Sequence, residues 1–503
     1  MLFASPLYGA FLVGTWVVFW LLGARRRVLR PLFLVVASYG FYFYGTWDAA
    51  RDESVPVRPL GWAALCLAVI FVGSTLDFFI ARALVRIERR AARNALLFVS
   101  VFYYLGVLAV FKYWNFAADS IASAAAALGA HVHVTRLRLI LPFGISFFTF
   151  ETMSYTIDVW RGELAPARRY LDYLLFVSFF PHLVAGPIVR PRQMLPQLAA
   201  EPRIDAAAQA RGLWRIAVGL GKKVVIGDYL AQAIVNRAFA TPERFTGFEV
   251  LLAVYAYAVQ IYADFSGYSD VAIGSAALFG YVLPENFDAP YLSADLQEFW
   301  RRWHISLSTW LRDYLYKPLG GSRGSALATY RNLMITMVLG GLWHGASWNF
   351  VLWGALHGGA LAVTRMWQRR RARRASVSTA TEAPSEGHAI GHLVATIATF
   401  HFVCFAWIFF RAPTFAHATL AIRQMGQLAH KTGWALEHVS PRVGAVVAAA
   451  AVLHVLPRSW ERRAREAFVQ TPALVQGVVL AAAAIGLHFA AGAKPEPFVY
   501  GQF

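Results

Sequence analysis

Long stretches without charged side chains, several of them followed by a cluster of arginines, limit most strongly what this chain can fold into. Residues 7–23 carry no charge, and four arginines follow within residues 25–30. An apolar run at about 60–80 is likewise followed by five arginines between Arg82 and Arg93. Stretches of this length span the hydrocarbon core of a bilayer, and basic clusters stay on its cytoplasmic side. Because the charge follows the first run, that run is predicted to be a retained span and not a cleaved signal peptide.

The composition excludes an ordinary soluble protein. Hydrophobic residues make up 58% of the chain and charged residues 15%, whereas soluble domains are about 25% charged. The net charge of +19 resides in five basic segments beside the apolar runs, so it indicates membrane orientation and not a nucleic-acid partner. Both cysteines, Cys66 and Cys404, lie in apolar runs, which leaves no disulfide framework and no cysteine-based metal site. The alanine- and arginine-rich composition favours a bacterial inner membrane.

The apolar pattern predicts an all-α fold, a single membrane domain over residues 1–503 with roughly 10 to 12 spans. Proline and glycine interrupt the run at 172–189, and the run at 332–343 has only 12 residues, about 18 Å as a helix. Both are predicted to enter the membrane without crossing it, which requires protein or a wet cavity around them. Residues 369–388 change from arginine-rich to Ser/Thr/Ala/Pro-rich and are predicted to form a mobile cytoplasmic loop.

A charged and aromatic stretch occupies residues 293–317. Its apolar residues recur every three or four positions, which predicts one helix with an aromatic stripe. Its arginines make it too polar to span, so we expect an interfacial helix with tryptophans at headgroup level. His304 stands one residue away from the stripe, and its side chain is predicted to point into the protein.

The glycine-rich stretch at 340–359 places histidines among tryptophans. His344 ends the short apolar run next to Trp343, at a depth where an ionisable group marks a functional site by default. The alternative is a neutral histidine that is hydrogen-bonded inside the helix bundle, which we prefer for isolated histidines such as His401. His357 stays open between packing and a supporting role beside the site.

Proton transfer is the chemistry that these histidines can perform. His344 and His357 lie about 220° apart around a helix, which disfavours a shared metal ion, and the sequence has no HExxH motif. The nucleophile elbow G-x-S-x-G and a phosphate-binding loop are also missing from the sequence. A neutral imidazole that takes a proton from an attacking hydroxyl remains, and His304 and His344 are predicted to share that task.

The same stretches resemble a known family. WRRWHISLSTWLRDYLYKPLGG, followed by LWHGASWNFVLWGALHG, is similar to the signature region of membrane-bound O-acyltransferases, specifically their bacterial alginate O-acetylase branch. Other stretches along the chain agree with that branch: LPFGISFFTFETMSYTIDVWRG, FFPHLVAGPIVRP, QIYADFSGYSDVAIG, NFDAPYLS, FAWIFFRA and PFVYGQF. The resemblance implies that His344 is the family's catalytic histidine and His304 the second polar residue opposite it. It also implies a funnel and tunnel in which a cytosolic acyl donor meets an acceptor from the outer side.

With this resemblance, a mechanism can be stated as a hypothesis. His344 acts as the base on the acceptor hydroxyl, and His304 orients the reactants or helps to protonate the thiolate leaving group. The polar residues of ADFSGYSD are expected to form structural hydrogen bonds first and to line the cavity second, and His182 is a weaker candidate of the same kind. The candidate lining residues are His182, Asp264, Ser266, Asp270, Trp343 and His357.

The resemblance also implies substrates and partners. Acetyl-CoA is the expected acyl donor, with no permanently bound cofactor and no metal. The acetyl group is expected to pass to a periplasmic, serine-using SGNH-type acetyltransferase, which modifies an exopolysaccharide such as alginate or cellulose within an export-linked assembly. Two alternatives stay open: D-alanyl transfer to teichoic acid by a sister branch, and a transporter or channel with interrupted helices.

Overall fold

The computed structural model describes residues 3–23, 28–51, 58–137, 139–375, 386–490 and 496. Every regular element in these ranges is helical, which confirms the predicted all-α class. Within them, five helices are long and apolar enough to cross a membrane, or six if one bent helix pair counts as a span. This number is below the predicted ten to twelve because several predicted spans form shorter helices, such as Pro6–Leu21 with 16 residues and Ile145–Arg161 with 17. The chain is a multi-pass membrane protein.

The chain divides into two compact units, each described by itself. Unit 1 consists of Met1–Val218 and Tyr268–Pro284, and unit 2 of Gly219–Gly267 and Glu285–Phe503. Helices α1 to α10 are Pro6–Leu21, Leu29–Ala49, Pro59–Leu84, Arg90–Leu108, Trp114–Ala127, Ile145–Arg161, Tyr170–Ser178, Phe180–Leu183, Pro191–Ala199 and Ala206–Gly221. Helices α11 to α21 are Asn236–Ala240, Gly247–Leu278, Leu296–Arg302, Ile305–Leu311, Ala326–His344, Trp348–Ala375, Glu386–Arg411, Phe415–Met425, Pro441–Val455, Arg458–Gln470 and Ala473–Ala490.

Unit 1 contains the interrupted segment that the sequence predicts at 172–189. Helix α7 ends at Ser178, and α8 is a single turn, Phe180–Leu183. The backbone after α8 is irregular, and most of its side chains are buried. Gly144 lies against the carbonyl of Leu183, where any Cβ would collide with the main chain. The interruption predicted from proline and glycine is confirmed, and irregular backbone of this kind is tolerated where protein surrounds it.

Unit 2 has an aromatic core. Large side chains from α13, α16 and α17 and from the residue after α13 pack together in it: Phe299, Trp303, Trp353, Trp407 and Phe410. Trp303 is 1% exposed. Trp300 and Trp303 contact rings of α16 and α17, and Trp310 contacts Tyr314. The tryptophans of 293–317 are therefore buried in protein, and their position at headgroup level stays a prediction.

The prediction of one helix over 293–317 is wrong. Helix α13 ends at Arg302 and α14 begins at Ile305. His304 lies between them with a φ of 43°, in the left-handed region. The main-chain oxygen of Asn286 accepts the N–H of Ile305 at 2.9 Å. The helix is therefore interrupted here, because the Asn286 carbonyl accepts the first N–H group of α14.

The predicted short segment at 332–343 belongs to a longer helix. Helix α15 runs over Ala326–His344, 19 residues, or about 28 Å. The Ser325 side chain accepts the N–H of Ala328 and caps its start, and Asn332 Nδ2 donates to the carbonyl of Gly321 at 3.0 Å. The 12-residue half-span is thus corrected, because these hydrogen bonds extend the helix through polar residues that precede the apolar run.

The predicted mobile loop at 369–388 lies partly outside the described residues. Residues 369–375 continue helix α16, and residues 386–388 begin α17. Residues 376–385 and the PFVYGQF ending are outside the part of the chain that the structure describes.

Candidate active site

Helices α15 and α16 form a tight hairpin that places His344 at its turn. Helix α15 ends at His344, and α16 begins after a three-residue turn. The helices approach closely because glycines line the contact: a Cβ on Gly354 would lie 2.9 Å from the Cα of Val338. A Cβ on Gly345 would collide with the ring of Phe350. The glycines of this stretch therefore hold His344 against the start of α16.

Three aromatic rings surround the His344 imidazole. Its ring centroid lies 4.9 Å from that of Trp343, 5.1 Å from that of Trp353 and 5.2 Å from that of Phe410. The side chain is buried, with 4% of its surface exposed. Such a setting excludes bulk water and strengthens the polar interactions that the ring makes.

His304 is held in a strained backbone conformation inside unit 2. Positive φ is uncommon for residues other than glycine, and it persists only where the surroundings fix it. The ring is fully buried, its centroid is 4.6 Å from that of Phe265, and its Nδ1 lies 3.1 Å from Asn286 Oδ1. His304 lies outside the helices that are long and apolar enough to cross a membrane. Burial lowers the pKa of His304 to about 3, so the imidazole is neutral near pH 7.

The structure brings the two predicted catalytic histidines to one side chain. Trp343 lies 6.1 Å from His304 and 4.9 Å from His344 between ring centroids. Trp343 is itself buried. The arrangement is suited to acid–base chemistry because two imidazoles that come from different segments share one water-poor environment.

His357 lies among aromatic rings, one helical turn beyond Trp353. Its ring centroid is 4.7 Å from that of Trp353 and 5.2 Å from that of Trp300. Neither ring nitrogen makes a hydrogen bond to the part of the chain that the structure describes. Of the two roles left open by the sequence, these contacts favour packing.

Asp264 takes part in a buried ion cluster of unit 2. Lys223 Nζ lies 2.5 Å from an Asp264 carboxylate oxygen and 2.8 Å from one of Asp228. All three side chains are buried, and Ser266 is buried near them on α12. The two carboxylates face the lysine, and a buried charge of this kind needs a partner. The structural role of Asp264 stays a prediction.

Sequence comparisons show the family of the chain. The model of the membrane-bound O-acyltransferase family matches residues 143–405, just over half of the 503-residue chain. The chain belongs to the membrane-bound O-acyltransferase family. The matched range contains all the predicted catalytic and lining residues, and both histidines at Trp343 are among them.

Relatives within the membrane-bound O-acyltransferase family carry several names. The chain is 44% identical to the probable alginate O-acetylase of Azotobacter vinelandii, over 67% of this chain and 63% of that protein. It is 34% identical to the peptidoglycan O-acetyltransferase of Helicobacter pylori, over 88% and 82%. It is 29% identical to the teichoic acid D-alanyltransferase of Bacillus subtilis, over 56% and 71%. The match thus spans less than two thirds of the Azotobacter relative.

Two predicted lining residues of this family member lie in unit 1 with partners of their own. His182 Nδ1 is 3.1 Å from Glu151 Oε1, and both side chains are buried. The same Glu151 oxygen accepts the N–H of Val189 at 2.8 Å. Asp270 Oδ1 accepts a hydrogen bond from Arg215 Nε at 2.8 Å. These contacts favour a structural role for both residues, which stays a prediction.

Several residues of the site were not identified from the sequence. Asn286 contacts His304, Phe410 contacts His344, and Lys223 pairs with Asp264. Asn286 stands within NFDAPYLS, a stretch that carries the family resemblance, and Lys223 is a charge in an otherwise apolar run. These two sequence features mark Asn286 and Lys223 as unusual, but neither feature indicates which distant side chain the residue contacts.

Proposed function

We propose that this protein transfers an acetyl group from cytosolic acetyl-CoA to an acceptor hydroxyl on the outer side of a bacterial inner membrane. The observation that carries the proposal is the meeting of His304 and His344 at the ring of Trp343. Membership of an O-acyltransferase family supports acyl transfer, and the names of the Azotobacter and Helicobacter relatives support acetyl as the group transferred.

The proposed reaction needs one base and a route for the hydroxyl proton to the leaving group. The acceptor oxygen attacks the carbonyl carbon of the thioester, so that a C–O bond forms and the C–S bond breaks. His344 accepts the hydroxyl proton during the attack, and that proton then reaches the thiolate, which leaves as the free thiol of CoA. His304 orients the acceptor hydroxyl or assists the protonation of the thiolate. The buried aromatic surroundings keep water away from the thioester.

The hairpin gives the proposed reaction a direction across the membrane. Arg369 Nη2 donates to Thr329 Oγ1 at 3.2 Å, so the arginine-rich end of α16 lies beside the start of α15. The positive-inside rule assigns that end to the cytosol. His344 is the last of the 19 residues of α15, about 28 Å from its start. A cytosolic donor therefore needs a funnel that reaches across most of the hydrocarbon, and the acceptor approaches from the opposite side.

The final acceptor is proposed to be an exopolysaccharide of the alginate or cellulose type. In the proposed path the acetyl group passes first to a serine hydroxyl of a periplasmic SGNH-type acetyltransferase, which transfers it to the polysaccharide beside the export machinery. The name of the Azotobacter relative supports a polysaccharide. D-alanyl transfer is less supported, because identity to the Bacillus D-alanyltransferase is 29% against 44% for the Azotobacter relative.

Donor turnover by the purified full chain tests this function. The protein is reconstituted in lipid nanodiscs and supplied with acetyl-CoA or with a D-alanylated carrier protein. The release of free thiol is followed with and without a periplasmic SGNH-type acetyltransferase and alginate or cellulose oligosaccharides. We expect thiol release from acetyl-CoA that rises when the acetyltransferase and an oligosaccharide are added together. Turnover of the D-alanyl donor alone, or of neither donor, contradicts the proposal.

A further inference from the structure

Asn286 contacts the start of helix α14 through both of its carbonyl groups. It is 1% exposed. Its main-chain oxygen accepts the N–H of Ile305 at 2.9 Å, and its Oδ1 accepts the N–H and the Oγ–H of Ser306 at 3.2 and 2.8 Å. The first N–H groups of a helix have no partner within the helix, and the side chain of the N-cap residue His304 does not cap them. Asn286 therefore caps α14 from a position 18 residues before His304.

The same contacts determine how the side-chain amide of Asn286 is oriented. The oxygen and nitrogen of an asparagine amide are similar in shape and are distinguished by their partners. A main-chain N–H only donates, so the Asn286 atom that faces the N–H of Ser306 is the oxygen. That oxygen also lies 3.1 Å from Nδ1 of His304. Ser306 Oγ lies 3.4 Å from Nδ1, but its one hydrogen is donated to Asn286 Oδ1. Since an oxygen without hydrogen only accepts, this geometry points to a hydrogen on Nδ1.

The state of the second ring nitrogen follows from the surroundings. His304 is fully buried, and its ring centroid lies 4.6 Å from that of Phe265. Desolvation favours a neutral imidazole, and a neutral ring carries only one N–H. We infer that Asn286 fixes His304 in the tautomer with hydrogen on Nδ1 and the lone pair on Nε2. Asn286 is a positioning residue, because it acts through His304.

This tautomer adds detail to the proposed function. Its consequence for the reaction rests on that function. Two roles are open to His304 in the proposed acetyl transfer: to orient the acceptor hydroxyl or to protonate the thiolate. With its lone pair on Nε2, the ring has no proton to donate from that atom at the start of the reaction. His304 therefore does not protonate the thiolate directly from its resting state. Because the acceptor hydroxyl carries one hydrogen and His344 takes it, Nε2 of His304 gives a proton to the thiolate only after it has received that proton from His344.

Nuclear magnetic resonance of the full chain tests the tautomer directly. The protein is prepared in lipid nanodiscs with ¹⁵N-labelled imidazoles, and the His304 signals are assigned among the 14 histidines by their loss in His304→Gln. We expect a hydrogen-bearing Nδ1 and a hydrogen-free Nε2, read from the ¹⁵N shifts and the one-bond couplings to hydrogen. A hydrogen on Nε2, or on both nitrogens, overturns the inference.

Variants of Asn286 test its role in positioning. Asn286→Ala removes the oxygen acceptor, so we expect a mixture of tautomers and a kcat for acetyl-CoA turnover that falls roughly 10- to 100-fold with little change in KM. Asn286→Asp retains an oxygen acceptor and is expected to restore the Nδ1–H tautomer and most of kcat. Asn332→Ala is the control, because Asn332 is a buried asparagine of the same unit that bonds to Gly321. A wild-type tautomer and kcat in Asn286→Ala overturn the inference.

The two readouts separate this inference from the proposed function. If His304 shows Nδ1–H but the protein turns over no acetyl-CoA, the tautomer stands and the acetyltransferase proposal fails. If acetyl-CoA is turned over while Nε2 carries the hydrogen, the function stands and the inference fails. Should Asn286→Ala not fold, the spectrum of the unmodified chain and the Asn286→Asp variant still decide the question.

Discussion

His304 and His344 contact the same ring, the indole of Trp343, at centroid distances of 6.1 and 4.9 Å. His304 precedes the short helix α14, whereas His344 ends the long helix α15. A rigid ring in contact with both of the proposed catalytic histidines limits the freedom that each would lose in the transition state. Aromatic packing thus helps to fix the placement of the two histidines.

Replacement of Trp343 tests this packing role. Trp343→Ala removes the ring that both histidines contact, and we expect a loss of about 10²-fold in acetyl-CoA turnover, because small misplacements of reacting groups have effects of that size. Trp343→Phe retains an aromatic face and is expected to keep most of the activity. Equal activity of the Ala and Phe variants in a thiol-release assay would show that the ring does not position the histidines.

Gly345 is predicted to be intolerant of any side chain. Because a Cβ there would collide with Phe350, Gly345→Ala is expected to lower the free energy of unfolding by about 1–3 kcal/mol and to reduce activity. Gly391→Ala is the matched control, since a Cβ at Gly391 meets no atom within 4 Å. In a helix this control is expected to be neutral or to stabilise by about 0.5–1 kcal/mol. Thermal unfolding in detergent measures both, and equal effects would contradict the tight hairpin.

His357 is predicted to act through its shape. His357→Phe keeps an aromatic ring among Trp353 and Trp300, so we expect retained activity and a stability change below about 1.5 kcal/mol. His357→Ala leaves a cavity and is expected to destabilise by about 2–5 kcal/mol. Turnover rates normalised to folded protein check this. Loss of turnover in a well-folded His357→Phe variant would instead show that an imidazole nitrogen is needed.

The buried ion cluster predicts a large difference between two aspartates. Asp264→Ala leaves a buried lysine with one carboxylate instead of two, and we expect a loss of about 3–5 kcal/mol in unfolding free energy. Asp313→Ala removes partly exposed ion pairs with Arg312 and Lys317, for which the expected loss is below about 1 kcal/mol each. Unfolding in mixed detergent micelles compares them. Similar losses for both variants would mean that Lys223 does not depend on Asp264.

The sequence was sufficient for the class of protein, the helical fold and the pair of histidines. Apolar runs and arginine clusters report membrane insertion through local composition, which needs no knowledge of distant contacts. The prolines and glycines at 172–189 act on their own backbone, and the break there was predicted correctly. His304 and His344 stood out because each is a polar residue within an aromatic surrounding.

The remaining features depend on contacts between distant segments. The break at His304 arises from Asn286, 18 residues earlier, and the local pattern of three- and four-residue spacing favours a continuous helix instead. The burial of the tryptophans of that stretch could not be predicted either, because Trp300 and Trp303 contact rings of the distant helices α16 and α17. The pairing of Lys223 with Asp264 joins two separate segments in the same way.

Acetyl transfer by a His344→Ala variant tests the central claim most directly. The full chain and its variants are reconstituted at equal amounts in nanodiscs, and release of free thiol from acetyl-CoA is measured. His401→Ala is the control, because His401 is an exposed histidine of α17 that bonds to Tyr255. We predict that His344→Ala inserts normally and loses at least about 10²-fold in rate, while His401→Ala keeps the wild-type rate. A normally inserted His344→Ala protein with wild-type acetyl-CoA turnover would contradict the account.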